Sequence, residues 1–169
     1  MTHIFRLLTF SMIILAAACS SPDRFNSDGV NPGAIPGTGG AGDPSNPSSP
    51  AYFQQTIGDR VFFVVDQSTL SEEAKVILEG QAQWLLTNTD YQAIIEGHAD
   101  EQGTTEYNIA LSGRRANAVR EFLIERGIAG NRLRTLPLGK ERPAELCADE
   151  SCYSKNRRAV TIISTGAVS

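Results

Sequence analysis

Histidine is nearly missing from this chain of 169 residues: there are two, His3 and His98, alongside three cysteines and one tryptophan. His98 beside carboxylates is a poor ligand set for zinc. No cysteine is placed with a histidine, and no serine sits in a strand-to-helix elbow, so no activated nucleophile is available. The inventory points away from an enzyme and toward a protein that holds something, with no metal and no cofactor expected. Excess positive charge is missing too. Fifteen Lys and Arg against 19 Asp and Glu leave a net charge of −4, which gives a phosphate backbone no footprint, so no nucleic-acid partner is expected. Apolar runs of membrane-spanning length are also absent, since the longest, near the start, is too short for a comfortable span.

What is there begins with "MTHIFRLLTFSMIILAAAC". A basic start at Arg6, an apolar stretch and small residues ahead of Cys19 have the order of a secretory signal over residues 1–18, which would carry His3 away with it. "LAAAC" resembles the lipobox of bacterial lipoproteins, with Ala16 in the position usually held by Leu. The resemblance implies acylation of Cys19, and Ser20 after it resembles the signal for transfer to the outer membrane. With Cys19 consumed by lipid, Cys147 and Cys152 are left as an even pair in a polar loop of an exported protein, favouring a local disulfide over a metal site.

Residues 20–56 hold six of the eight prolines and six of the fifteen glycines. Such a segment cannot bury enough apolar surface to offset the entropy of ordering it. Residues 19–56 are therefore expected to be a lipidated N-terminus and linker, and 57–166 a folded domain. As a Gly-rich coil of about 35 residues the linker would span about 30 to 35 Å on average and at most about 120 Å. Charge within the domain is segregated. Asp59 to Glu106 contains ten acids and two bases, whereas Arg114 to Arg158 contains eleven of the chain's fifteen bases.

From residue 57 strand and helix signals alternate. "RVFFVVD" reads as a strand covered on both faces. Ser71 caps a helix whose Ala74, Ile77, Leu78, Ala82 and Leu85 recur at helical spacing. "YQAIIEG" is a second strand, Thr104 or Thr105 caps a long helix to about Arg126, and Gly127 closes it. "NRLRTLPLG" is a strand at an edge, given Pro137, and "RRAVTIIS" the last. The expected fold is α+β: a β-α-β-α-β-β sandwich of one mixed four-stranded sheet with helices packed on one side.

"EGHADEQGTTEY" follows the second strand, and Asp100 lies just beyond that strand's end, where such sheets place ligand groups. On the helix behind it Asn108, Leu111 and Arg115 share the inward stripe. A buried arginine cannot shed its charge and needs an anion. Asp100 and Arg115 together would clamp a zwitterion, the acid taking an ammonium and the guanidinium a carboxylate. The alternative is a salt bridge from Arg115 to Asp100 or Glu101 that only ties loop to helix.

"EGHADEQGTTEYNIALSGRRANAV", with "GNRL" and "YSKNRRAVTI" after it, strongly resembles the OmpA-like family of peptidoglycan-binding domains, in particular its lipoprotein branch, over about residues 59–164. The resemblance implies noncovalent binding of the diaminopimelate of a peptidoglycan stem peptide. By match to the family's motif, Asp100 and Arg115 contact diaminopimelate and Asn108 and Leu111 line the pocket. Asp66 also matches, although Val64 stands where the family usually has an acid. The resemblance further implies an outer-membrane lipoprotein facing the periplasm, tethering that membrane to the wall, with TolB and TolA of the Tol system as partners during cell division. A wall-binding lipoprotein outside the Tol system would share every pocket residue. A flagellar-stator type of anchor would need an uncleaved membrane-spanning helix.

Overall fold

The computed structural model describes residues 42–165. The expected signal segment, Cys19 and most of the expected linker lie outside the described residues. Among the described residues no helix is long and apolar enough to cross a membrane.

Packed structure is present within the segment whose composition implies a linker. Ser49 accepts a hydrogen bond from the Tyr52 N–H (3.0 Å) and caps a helical turn, α1, at Pro50–Tyr52. Pro50 stands where a helix needs no N–H. The turn widens into a π-helical segment, Phe53–Gly58, and Ala51 and Phe53 are buried. Phe53 meets Trp84 edge-on at 5.0 Å, and Trp84 Nε1 donates to the Pro47 carbonyl (2.7 Å). The expected linker end at residue 56 is thus too late. Two adjacent aromatics, Tyr52 and Phe53, supply apolar area that the surrounding Pro and Gly obscure.

Four strands and three longer helices follow: β1 (Arg60–Phe62), α2 (Glu72–Thr87), β2 (Tyr91–Gly97), α3 (Thr105–Glu125), β3 (Leu133–Pro137), α4 (Glu150–Asn156) and β4 (Arg158–Thr165). Sheet order is β1-β4-β2-β3, with β2 and β3 parallel and β4 antiparallel to both β1 and β2. β3 with Pro137 is an edge strand, as expected. β1 is the other edge and much shorter than "RVFFVVD" suggests. Val61 and Phe63 point into the core while Phe62 and Val64 are exposed. The chain turns away at Val64, whose carbonyl accepts from Gln67 N (3.2 Å), with Asp66 at φ 63°. Aspartate is among the few residues that tolerate this left-handed region.

The last two strands, expected in succession, are separated by α4. Asp149 caps it through Ser151 N (2.8 Å), and Cys147 and Cys152 are joined in a disulfide around its first turn (Cα–Cα 5.7 Å). A helix of seven residues with only Cys152 and Asn156 buried has no apolar stripe to advertise it.

Ser71 and Thr104 cap α2 and α3 through the N–H groups of Ala74 and Tyr107, each at 3.2 Å. Both helices cover one face of the sheet, and Leu78, Leu85, Ile95, Val119, Leu123 and Leu133 form the centre of the core. Gly97 sets their closest approach. A Cβ there would lie 1.9 Å from the Ser112 carbonyl oxygen, so only glycine lets the end of β2 rest against α3. That contact fixes the loop between them.

Candidate functional site

The β2–α3 loop turns through Gly103 at φ 91°, a conformation that favours glycine. Its far side walls a cleft of about 440 Å³, lined by Val65, Asp66, Asp100, Gln102, Gly103, Tyr107, Asn108 and Leu111. Four of the five residues expected to bind, Asp66, Asp100, Asn108 and Leu111, are therefore brought to one cavity by three separate segments.

Asp100 is 6% exposed. One carboxylate oxygen accepts from Gln102 N (3.2 Å) and the other from Arg157 Nη1 (3.1 Å). Asn108, 1% exposed, donates through Nδ2 to the carbonyls of Asp100 (3.2 Å) and Gln102 (3.0 Å), which holds the loop on the helix. Its Oδ1 is buried with no hydrogen-bond partner among the described residues. Buried acceptors are rarely left so, and this one belongs to a residue lining the cleft beside a carboxylate. In the same cleft the Tyr107 hydroxyl donates to the Asp66 carboxylate, and that bond, ahead of desolvation, raises the phenol above its ordinary pKa.

Arg115 departs from expectation. It is fully buried, does not line the cleft, and pairs with no carboxylate among the described residues. Nε donates to Gln67 O (2.8 Å), Nη1 to His98 O (2.8 Å) and Nη2 to Val64 O (3.2 Å), with Phe63 under the guanidinium at 5.3 Å. The alternative salt bridge to Asp100 or Glu101 is not formed. Three loop carbonyls were out of reach of sequence reasoning, which sought an acid. Burial lowers the Arg115 pKa to about 10, against smaller opposing contributions led by Asp100, so the charge survives at neutral pH. Two of its five N–H donors, one on each terminal nitrogen, are left over by these three bonds.

Arg157 is the residue the reading missed. It lies 57 positions from Asp100 in "YSKNRRAV" and anchors the site from behind. Nη1 holds Asp100, both terminal nitrogens hold Glu150 (Nη1 at 3.2 Å), and Nε donates to Phe63 O (3.2 Å). Glu150, ahead of Asp100, raises the Arg157 pKa, and Arg157 in turn holds the Glu150 carboxyl below its usual range. The only available signal was a buried-strand flank with two adjacent arginines. His98 orients the loop through its backbone, donating to Arg158 O (2.9 Å) and accepting from Arg115. Its ring faces Glu96, with Nε2 3.5 Å from the carboxylate.

The model of the OmpA family matches residues 62–157. The chain belongs to the OmpA family. Every cleft residue, Arg115 and Arg157 fall inside the OmpA segment, while the strap before β1 falls outside it. Relatives include the peptidoglycan-associated lipoprotein of Rhizobium meliloti, 43% identical over 93% of this chain and 86% of its own. That of Agrobacterium fabrum is 47% identical over 75% and 71%. The crystal structure of the peptidoglycan-associated lipoprotein from Burkholderia pseudomallei superposes with a TM-score of 0.64 at 34% identity, covering 72% of this chain and 99% of that one. The C-terminal domain of Helicobacter pylori MotB, at 21% identity and TM-score 0.60 over 64% and 86%, shares the OmpA fold.

Proposed function

We propose that the protein is an outer-membrane lipoprotein, facing the periplasm, that binds peptidoglycan noncovalently through the Asp66–Asp100–Asn108 cleft. The observation that carries this is that Asn108, whose Oδ1 is unpartnered, lines the same cleft as Asp100. The carboxylate offers an acceptor for the ammonium of a diaminopimelate head, and the unpartnered amide oxygen leaves a second on a residue of the same cleft. Arg115 works beneath them. Its partners are neutral carbonyls, so its positive charge is uncompensated by contact and favours the carboxylate of the same zwitterion. Lipid on Cys19 would anchor the chain at about 0.8 kcal/mol per buried methylene. Many copies facing a repeating polymer would turn weak single contacts into avidity. The relatives named as peptidoglycan-associated lipoproteins support this reading, and with it a place in the Tol–Pal system, with TolB and TolA as partners in envelope integrity and division.

The test fractionates cells expressing the full chain. Asp100→Ala should be lost from sedimented peptidoglycan yet still take up labelled palmitate, and Cys19→Ser should lose the label while its purified form still sediments with the wall. Undiminished sedimentation of Asp100→Ala would remove the cleft from the mechanism.

A further inference from the structure

Nothing in wall binding as described uses Glu150 or the disulfide, yet both converge on Asp100. Glu150 is the first residue of α4 and lies inside the small ring closed by Cys147 and Cys152. Its side chain is 70% exposed, and it grips both terminal nitrogens of Arg157, whose own side chain is 5% exposed. Arg157 is thereby divided between two carboxylates, with a single Nη1 contact to Asp100.

We propose that Glu150, held in place by the Cys147–Cys152 bridge, positions Arg157 so that the guanidinium shares Asp100 instead of neutralising it. The inference rests on the cleft being the ligand site. With Glu150 ionised, the Asp100–Arg157–Glu150 triad carries one net negative charge, which favours a ligand ammonium. Without it the triad is neutral, and Arg157 is free to fork both its terminal nitrogens onto Asp100, filling the lone pairs that the ammonium needs. Glu150 is a positioning residue: it acts through Arg157 and does not line the cleft. The bridge is needed because seven residues are too few for a self-supporting helix. Asn156 ties the far end of α4 to the loop, accepting from Ala144 N (2.7 Å) and donating to Glu145 O (3.0 Å). The end that carries Glu150 is held by the Asp149 cap, the disulfide and the pair with Arg157.

The experiment titrates the full chain with a soluble muropeptide containing diaminopimelate, at low and high salt, using Glu150→Gln, Cys147→Ser/Cys152→Ser and the combination of all three. Because Glu150 is exposed, its removal should weaken binding about two- to fivefold at low salt, and the difference should fade near 1 M salt, where screening is nearly complete. A purely structural role would not show that salt dependence. The cysteine pair should weaken binding in the same direction alone and add nothing in the Glu150→Gln background. Unchanged affinity of Glu150→Gln, a salt-independent loss, or a cysteine effect that persists without Glu150 overturns the proposal while leaving the cleft assignment standing. Failure of the unaltered chain to bind the muropeptide overturns the cleft assignment and this proposal with it.

Discussion

A guanidinium with a pKa of about 10 stays protonated at pH 7, so Arg115 imposes a buried charge on the fold and must be repaid in hydrogen bonds. Its folded pKa lies below its unfolded one. The sign is therefore that of a cost present at neutral pH and relieved only as pH rises through and beyond 10. The return is geometric, since one side chain ties Val64, Gln67 and His98 around the cleft. Arg115→Ala strips one buried and two part-buried carbonyls of a charged donor and empties a fully buried side-chain site, which should cost about 3 to 5 kcal/mol. Calorimetry should find the melting temperature lowered by about 10 to 20 °C, and a shift of a degree or less would show that the tie carries no weight. Sequence reasoning located Arg115 on the inward stripe correctly, because helical periodicity reports burial. The three carbonyls that Arg115 meets were not legible, because a carbonyl leaves no trace in side-chain identity. Asp100 was legible from its place after a strand, and Arg157 was not, since the contact depends on how β4 returns beside β2.

At the scale of elements, the signals that were read well are local ones. Ser71 and Thr104 cap as their chemistry requires, and Pro137 marks an edge. The signals read badly are those in which tertiary packing overrides pattern: β1 is cut short by the turn at Asp66, and α4 is held by a cap and a bridge instead of an apolar face. The most demanding contact between elements is that of β2 with α3. Gly97→Ala should raise intrinsic strand preference yet force the Ser112 carbonyl away from a 1.9 Å clash. Neither party is a flexible side chain, so the loss should be about 3 kcal/mol or more. A urea midpoint unchanged from the parent would mean that the strand and helix can separate without penalty.

Taken whole, the molecule has its chain entry and its cleft at opposite ends of β2. The strap reaches the domain where Pro47 meets Trp84, and Trp84 lies 5.1 Å from Tyr91, the first residue of that strand. Asp100 lies three residues past the last. In a protein held by lipid at one terminus and by the wall at its cleft, tension would enter at one end of the sheet and leave at the other. While the strap holds, that pull would run along the sheet, whereas the strap itself would be loaded by peeling, one contact at a time. Peeling residues 43–58 would release about 50 Å of chain before the sheet is strained. A single molecule stretched in an optical trap between Cys19 and a wall fragment should show that short extension as a separate step at low force, and its absence would mean that strap and sheet rupture together. The segment before β1 would thus serve as a shock absorber, letting the envelope swell before its grip on the wall is tested.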